Sequence, residues 1–113
     1  LVASGTASLE VALYKKPMVI AYKTSRLSAF IYTKVALLPW IGLPNILLND
    51  SFIPEVLQND ATPDGLANAL LAEMNRYASD VSVVERLTEL HHSLIRDTPS
   101  LCAQSIAQVI GRT

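Results

Sequence analysis

The residues with the clearest chemical potential are Ser4-Gly5-Thr6, which lie between the apolar tripeptide Leu1-Val2-Ala3 and a run of helix formers. A turn from a strand into a helix exposes backbone N–H groups and the positive end of the helix dipole, so it favours an anion such as a diphosphate. Ser, Gly and Thr are also ordinary turn and cap residues, and the three positions alone fit an anion site or a plain cap. Glu10 falls four residues after Thr6, on the same helix face one turn below the anion position. A carboxylate there reaches a sugar hydroxyl carried by the phosphate, or is simply a Glu favoured by the dipole. Asn45, after Pro44, forms a turn through its side-chain amide or points into the crevice where parallel sheets bind ligands.

Other chemistries find no support. The four glycines, at positions 5, 42, 65 and 111, form neither G-x-G-x-x-G nor a P-loop. Neighbouring helical positions diverge by about 100 degrees, so His91-His92 cannot both face one metal ion and read as one surface and one boundary histidine. No H-E-x-x-H, nucleophile elbow or Cys–His pairing is present, which leaves no catalytic nucleophile, base or metal site in this chain. Cys102, on the last helix, reads as a packing residue.

The elements that would position these groups begin as strand, helix, strand. Leu1-Val2-Ala3 ends a buried strand, a helix starts at Thr6, and the apolar run Pro17 to Tyr22 suits a strand buried on both faces of a parallel sheet. Thr24 or Ser25 caps a second helix through Leu38. Trp40-Ile41-Gly42-Leu43 reads as a short strand, and Pro44-Asn45 ends it and opens a loop or brief helical turn through Leu48. Pro54 followed by Glu55-Val56-Leu57-Gln58 suggests another short helix. Helices are then expected over Pro63 to Tyr77, Val81 to Ile95 and Pro99 to Val109, so an α/β part over roughly 1–60 gives way to a helical tail over 61–113.

Composition bounds the partners. With 113 residues, 50% hydrophobic and 17% charged, the chain has a globular composition and the size of one domain. A mean hydropathy of +0.32 is high for so small a unit and points to apolar surface that meets a partner. A net charge of -1 offers no broad field for nucleic acid, so anion recognition must be local. One cysteine suits a reducing compartment, with cytoplasm the default. No stretch approaches a membrane span, and the opening at Leu1 has neither an initiator Met nor a signal sequence, which reads like the middle of something longer. Lys23, Arg26 and Lys34 flank an apolar helix carrying Phe30, Ile31 and Tyr32, a pattern shared by membrane-surface helices and docked helices with solvated ends.

Leu1-Val2-Ala3-Ser4-Gly5-Thr6-Ala7-Ser8-Leu9-Glu10, then Lys16-Pro17-Met18-Val19 with Ala21-Tyr22-Lys23, then Leu43-Pro44-Asn45, resembles the C-terminal part of lipid-A-disaccharide synthase. Pro54 to Gln58, Ala61-Thr62-Pro63 and Glu89-Leu90-His91 follow in the family's order and spacing. The resemblance implies the C-terminal Rossmann-like half of a GT-B fold, here a single partial domain over 1–113, in an enzyme that joins UDP-2,3-diacylglucosamine to 2,3-diacylglucosamine 1-phosphate. It places Ser4, Gly5 and Thr6 on the UDP diphosphate, Glu10 on the ribose and Asn45 in the same cleft. It further implies no cofactor, acceptor deprotonation on an N-terminal domain, contact with the cytoplasmic face of the inner membrane, and a homodimer formed by exchange of C-terminal helices. One departure stands out: where the family commonly has Ala-Gly and a basic residue after L-P-N-x-L, this chain has Leu48-Asn49-Asp50. Asn49 can adopt the left-handed conformation of the Gly, while Asp50 removes a possible phosphate contact. The reading from a different class is a non-catalytic interaction module in which Ser4 to Thr6 serve only as a cap.

Overall fold

Three extended stretches run parallel through the centre of the computed structural model, which describes residues 1–3 and 5–111 and, within them, all side chains but those of Tyr32, Thr33 and Val35. The middle one, β1 (Ile20–Tyr22), pairs with β2 (Glu55–Leu57) in the register Ile20 to Glu55, Ala21 to Val56 and Tyr22 to Leu57, and on its other side with a single bridge at Val2. Val2 donates to the Val19 carbonyl at 3.0 Å and accepts from Ala21 at 2.8 Å, while Ile20 donates to the Pro54 carbonyl at 2.9 Å. Met18, Val19 and Ile20 are fully buried, as a continuous apolar run covered on both faces of a parallel sheet must be.

Helices follow each strand. In chain order they are α1 (Thr6–Leu13), α2 (Arg26–Val35), α3 (Leu43–Leu48), α4 (Pro63–Ser79), α5 (Ser82–Leu94) and α6 (Thr98–Val109), with a 3-10 turn over Gln58–Asp60. The first helix, the strand after it and the helical run after residue 61 stand as the apolar pattern predicts, whereas Leu1 to Ala3, expected as the end of a buried strand, makes only the bridge at Val2 and leaves Leu1 and Ala3 exposed. On α5, Val83, Leu87 and Leu90 recur at helical spacing and are buried. Leu87 and Leu90 close the core with Ala12 of α1, Met18, Ile20 and Ile53. Thr62 caps α4 by accepting from the Gly65 N–H at 3.1 Å, and Asp97 caps α6 through Ser100.

Other local expectations fail. The second helix ends at Val35, short of Leu38. Trp40 to Leu43 is not a strand, because the N–H groups of Ile41 and Gly42 are taken by the Glu55 carboxylate at 2.9 and 2.8 Å rather than by a neighbouring strand, and Leu43 already begins α3. Pro54 to Gln58 is not a helix: Glu55–Leu57 pairs with β1, so a long-range ladder overrides a local helical signal. Cys102 is exposed, and α6 buries none of its residues. Leu101, Ile106 and Val109 of α6 stand in solvent, and the radius of gyration is 17.5 Å, against about 13 Å for a compact domain of similar length. The high mean hydropathy is thus carried partly by surface.

The segment between α3 and β2 is held from both sides. Phe52 lies between two guanidinium groups, Arg76 at 4.7 Å and Arg86 at 5.1 Å from its ring centre. Arg76 also donates to the Phe52 carbonyl at 3.0 Å and pairs with buried Glu73 at 2.7 Å. Asp50 pairs with Arg86 at 2.6 Å, and Asn49 takes the left-handed conformation (φ 51°) as the C-cap of α3. On α4, burial pushes the Tyr77 hydroxyl, which has no hydrogen-bond partner among the described residues, up to about 12. Among the described residues, no helix is long and apolar enough to cross a membrane.

Candidate functional site

The start of α1 is a glycine-led helix terminus. Gly5 is its N-cap, with φ 98° and ψ -151°, a combination essentially reserved to glycine. Ser8, fully buried, fixes this turn from inside: its N–H and hydroxyl both donate to the Gly5 carbonyl, at 3.2 and 2.7 Å. No side chain among the described residues caps the helix, so the N–H groups of Thr6 and Ala7 and the positive dipole end are left for another acceptor, while that of Ser8 is already taken by Gly5. Thr6 is exposed and is the first helical residue rather than a cap, which corrects its expected capping role. Ser4 lies outside the described residues.

Helix α3 gives an internal comparison. It too starts at a glycine, Gly42, with no side-chain cap in its first turn, but the Glu55 carboxylate already occupies the N–H groups leading into it. Packing there is so close that a Cβ on Gly42 would clash with Ile20 Cδ1 and lie 3.0 Å from Glu55 Oε1. One glycine-led helix start is filled by the protein's own carboxylate, and the other faces outward.

Glu10 is exposed one turn along α1, where it borders a shallow depression with Leu13, Tyr14 and His91. Lys15 Nζ lies 2.6 Å from His91 Nδ1, within hydrogen-bond distance. His92 is exposed, so the two histidines are the boundary and surface residues their spacing predicts.

Asn45 is elsewhere. It sits in α3, not at a strand end, and is fully buried. Its oxygen accepts from the N–H groups of Phe52 at 3.1 Å and Ile53 at 2.7 Å, and its amide nitrogen donates to the Ile53 carbonyl at 2.8 Å and to Glu55 Oε1 at 3.0 Å. The expectation that it points into the crevice is therefore corrected: each polar atom is satisfied within the chain, and its role is to hold the loop before β2 and to orient Glu55.

A second concavity, of about 710 Å³, opens at the C-terminal ends of β1 and β2, against α2 and the turn after it. Tyr22 and Leu57, the last residues of the two strands, line it with Thr24, Ser28, Leu37 and Gln58. Gln58 has φ 52°, and its side chain clamps Thr24 by accepting from its N–H at 2.8 Å. Sequence reasoning missed Glu55 and Gln58 as organisers. Their signal was the polar residue at each end of the apolar pair Val56-Leu57, obscured by Pro54, which reads as a helix start.

The family model described as lipid-A-disaccharide synthetase matches residues 1–109. The chain is 47% identical over its full length to the lipid-A-disaccharide synthase of Aromatoleum aromaticum. It is 49% identical to that of Bordetella pertussis over 96% of the chain, and 48% identical to that of Albidiferax ferrireducens over 97%. In each case the match covers 29% of the relative, so the chain spans under a third of the length of these curated relatives. No solved structure matches it. A family model matched along nearly the whole chain, with relatives close to half identical, establishes that the chain belongs to the lipid-A-disaccharide synthetase family.

Proposed function

We propose that this chain is the donor-binding part of a glycosyltransferase of the GT-B type, a Rossmann-like C-terminal unit that faces an N-terminal domain across a cleft. The whole enzyme would join UDP-2,3-diacylglucosamine to 2,3-diacylglucosamine 1-phosphate and release UDP. The observation that carries the reading is the uncapped α1 start at Gly5, adjoining the Val2 bridge of a parallel sheet, where such sheets bind ligands. There the backbone N–H groups and the helix dipole would stabilise the departing diphosphate without a covalent intermediate. Ser4, Gly5 and Thr6 take the diphosphate and Glu10 the ribose, while Asn45 acts on the site only by positioning. Catalytic turnover needs both walls of the cleft, so this chain alone is inactive.

Titration with UDP, followed by amide NMR shifts, tests the site. Shifts are expected at residues 5–10, and Glu10→Ala is expected to weaken UDP by about tenfold with little change in folding stability, since a charged hydrogen bond goes from an exposed helix position. Equal affinity in the two proteins would remove the ribose role, and no shifts at residues 5–10 would remove the site.

Two features support partners. Helix α6, with no buried residue, suits exchange between two subunits of a homodimer. The exposed Leu27, Phe30 and Ile31 of α2, flanked by Lys23, Arg26 and Lys34, suit peripheral contact with the cytoplasmic face of the inner membrane. Replacing the three cations by Ser should reduce flotation with anionic vesicles several-fold, and unchanged flotation would make α2 an ordinary packed element.

A further inference from the structure

Among its described side chains, helix α2 does not face inward as a core helix does. Its small residues Ser28 and Ala29 face the cavity at the strand ends, whereas Leu27, Phe30 and Ile31 are 71, 60 and 53% exposed. A packed amphipathic helix presents its large apolar side chains inward. The cavity behind it is mostly apolar: Tyr22 and Leu57 line it at the strand ends beside the polar Thr24 and Gln58, and Leu37, Leu38 and Pro39 line it from the segment after α2. Leu37 lines the cavity and is also 96% exposed, so the cavity opens to the outside on the segment that carries the exposed face of α2. About 710 Å³ lies within the usual range for a small-molecule site of roughly 300–1,000 Å³.

We infer that this cavity seats an acyl chain of the donor, with α2 and the turn after it serving as the wall of that seat and as the surface that meets the bilayer. The inference rests on the donor-binding reading above. Its reach follows from the sheet. The Gly5 turn follows the Val2 strand, and the cavity lies at the ends of β1 and β2, one and two strands away. That is roughly 5–10 Å at the spacing of paired strands, about the span of a sugar ring. A sugar held by its diphosphate at Gly5 and Thr6 therefore directs a chain into the cavity past the strand ends. Lys23, Arg26 and Lys34, placed before, at the start of and near the end of the exposed face, complement an anionic lipid surface and bring the open end of the cavity to the bilayer.

Trp40 reports on the seat. It is the only tryptophan, lies between the cavity-lining residues Pro39 and Ile41, and is anchored by a 2.7 Å hydrogen bond from its indole N–H to Ser51. The protein is titrated with UDP, with UDP-glucosamine bearing brominated acyl chains of increasing length, and with vesicles of brominated phosphatidylglycerol. The acylated donors are expected to quench Trp40 and to bind more tightly than UDP, with a gain of up to roughly fourfold per added methylene until the cavity is full. Ala29→Phe, which fills the cavity, should remove most of that gain while UDP affinity stays within about twofold; the chain-length series on the unsubstituted protein stands by itself if the variant does not fold. UDP binding without quenching and without a chain-length gain would overturn the acyl seat and leave the donor site intact. Quenching by vesicles as strong as by the donors would assign the cavity to bilayer lipid and also overturn it. Quenching and a chain-length gain with no binding of UDP itself would support the seat and sink the diphosphate site.

Discussion

Replacing Asn45 by Ala should lower folding stability by about 3–5 kcal/mol, a large share of the 5–15 kcal/mol typical of a domain. The size follows from what the side chain leaves behind. The N–H groups of Phe52 and Ile53 and the Ile53 carbonyl lose their partner together, Ile53 is 1% exposed, and the space left by the amide lies against Glu55. Each buried group left without a partner costs on the order of 1–3 kcal/mol, reduced where water enters. The damage should spread, because Glu55 also holds the N–H groups of Ile41 and Gly42 and so fixes the start of α3. Urea unfolding of the variant measures the effect, with the slope against denaturant checked for a change in two-state behaviour. A loss below about 1 kcal/mol would mean that Asn45 is not the hub of this loop, and its assignment to the ligand cleft would have to be reopened.

The Asn45 result marks the limit of what the residues disclosed before folding. The helix after Ser4-Gly5-Thr6 was legible because an apolar run, a turn cluster and a helix pattern follow one another within a few residues. Helices α4 and α5 were legible for the same reason, with Thr62 and Pro63 marking the start of α4. Asn45 was placed correctly beside Pro44 and wrongly in space. Its partners lie seven, eight and ten residues further on, and nothing in the spacing says which side of the turn is covered. Strand β2 was missed because three residues are too few to show alternation, and its pairing with β1 depends on residues more than thirty positions away. The outward display of α2 was open to two readings, since a stripe of Leu, Phe and Ile has the same sequence whether it packs inward or outward. The pairing of Asp50 with Arg86 bridges a separation of 36 residues that no local pattern encodes.

Gly5→Ala separates an anion site from a plain helix start more sharply than any charge removal. The turn holds φ 98° with ψ -151°, a region in which a Cβ costs about 1–3 kcal/mol. Among the described residues, chain neighbours aside, no heavy atom within 4 Å would meet the added methyl group, so the expected effect is backbone strain rather than collision. The chain can relieve that strain only by rotating the peptide units at the start of α1, which swings the N–H groups of Thr6 and Ala7 off the axis along which they would meet a diphosphate. Two losses are therefore expected together: about 1–3 kcal/mol of stability and at least about tenfold in UDP affinity. Gly111, at φ 70° with equally open space around it, supplies the control after α6. Gly111→Ala should lose about 1 kcal/mol and leave UDP affinity unchanged, because its strain is of the same kind but far along the chain from the α1 start. Calorimetric UDP titrations of the three proteins, with thermal unfolding of each, give both numbers from the same samples. If Gly5→Ala loses stability as Gly111→Ala does and keeps its UDP affinity, the turn is only an entry into a helix, and the non-catalytic interaction module becomes the better account of residues 4 to 6.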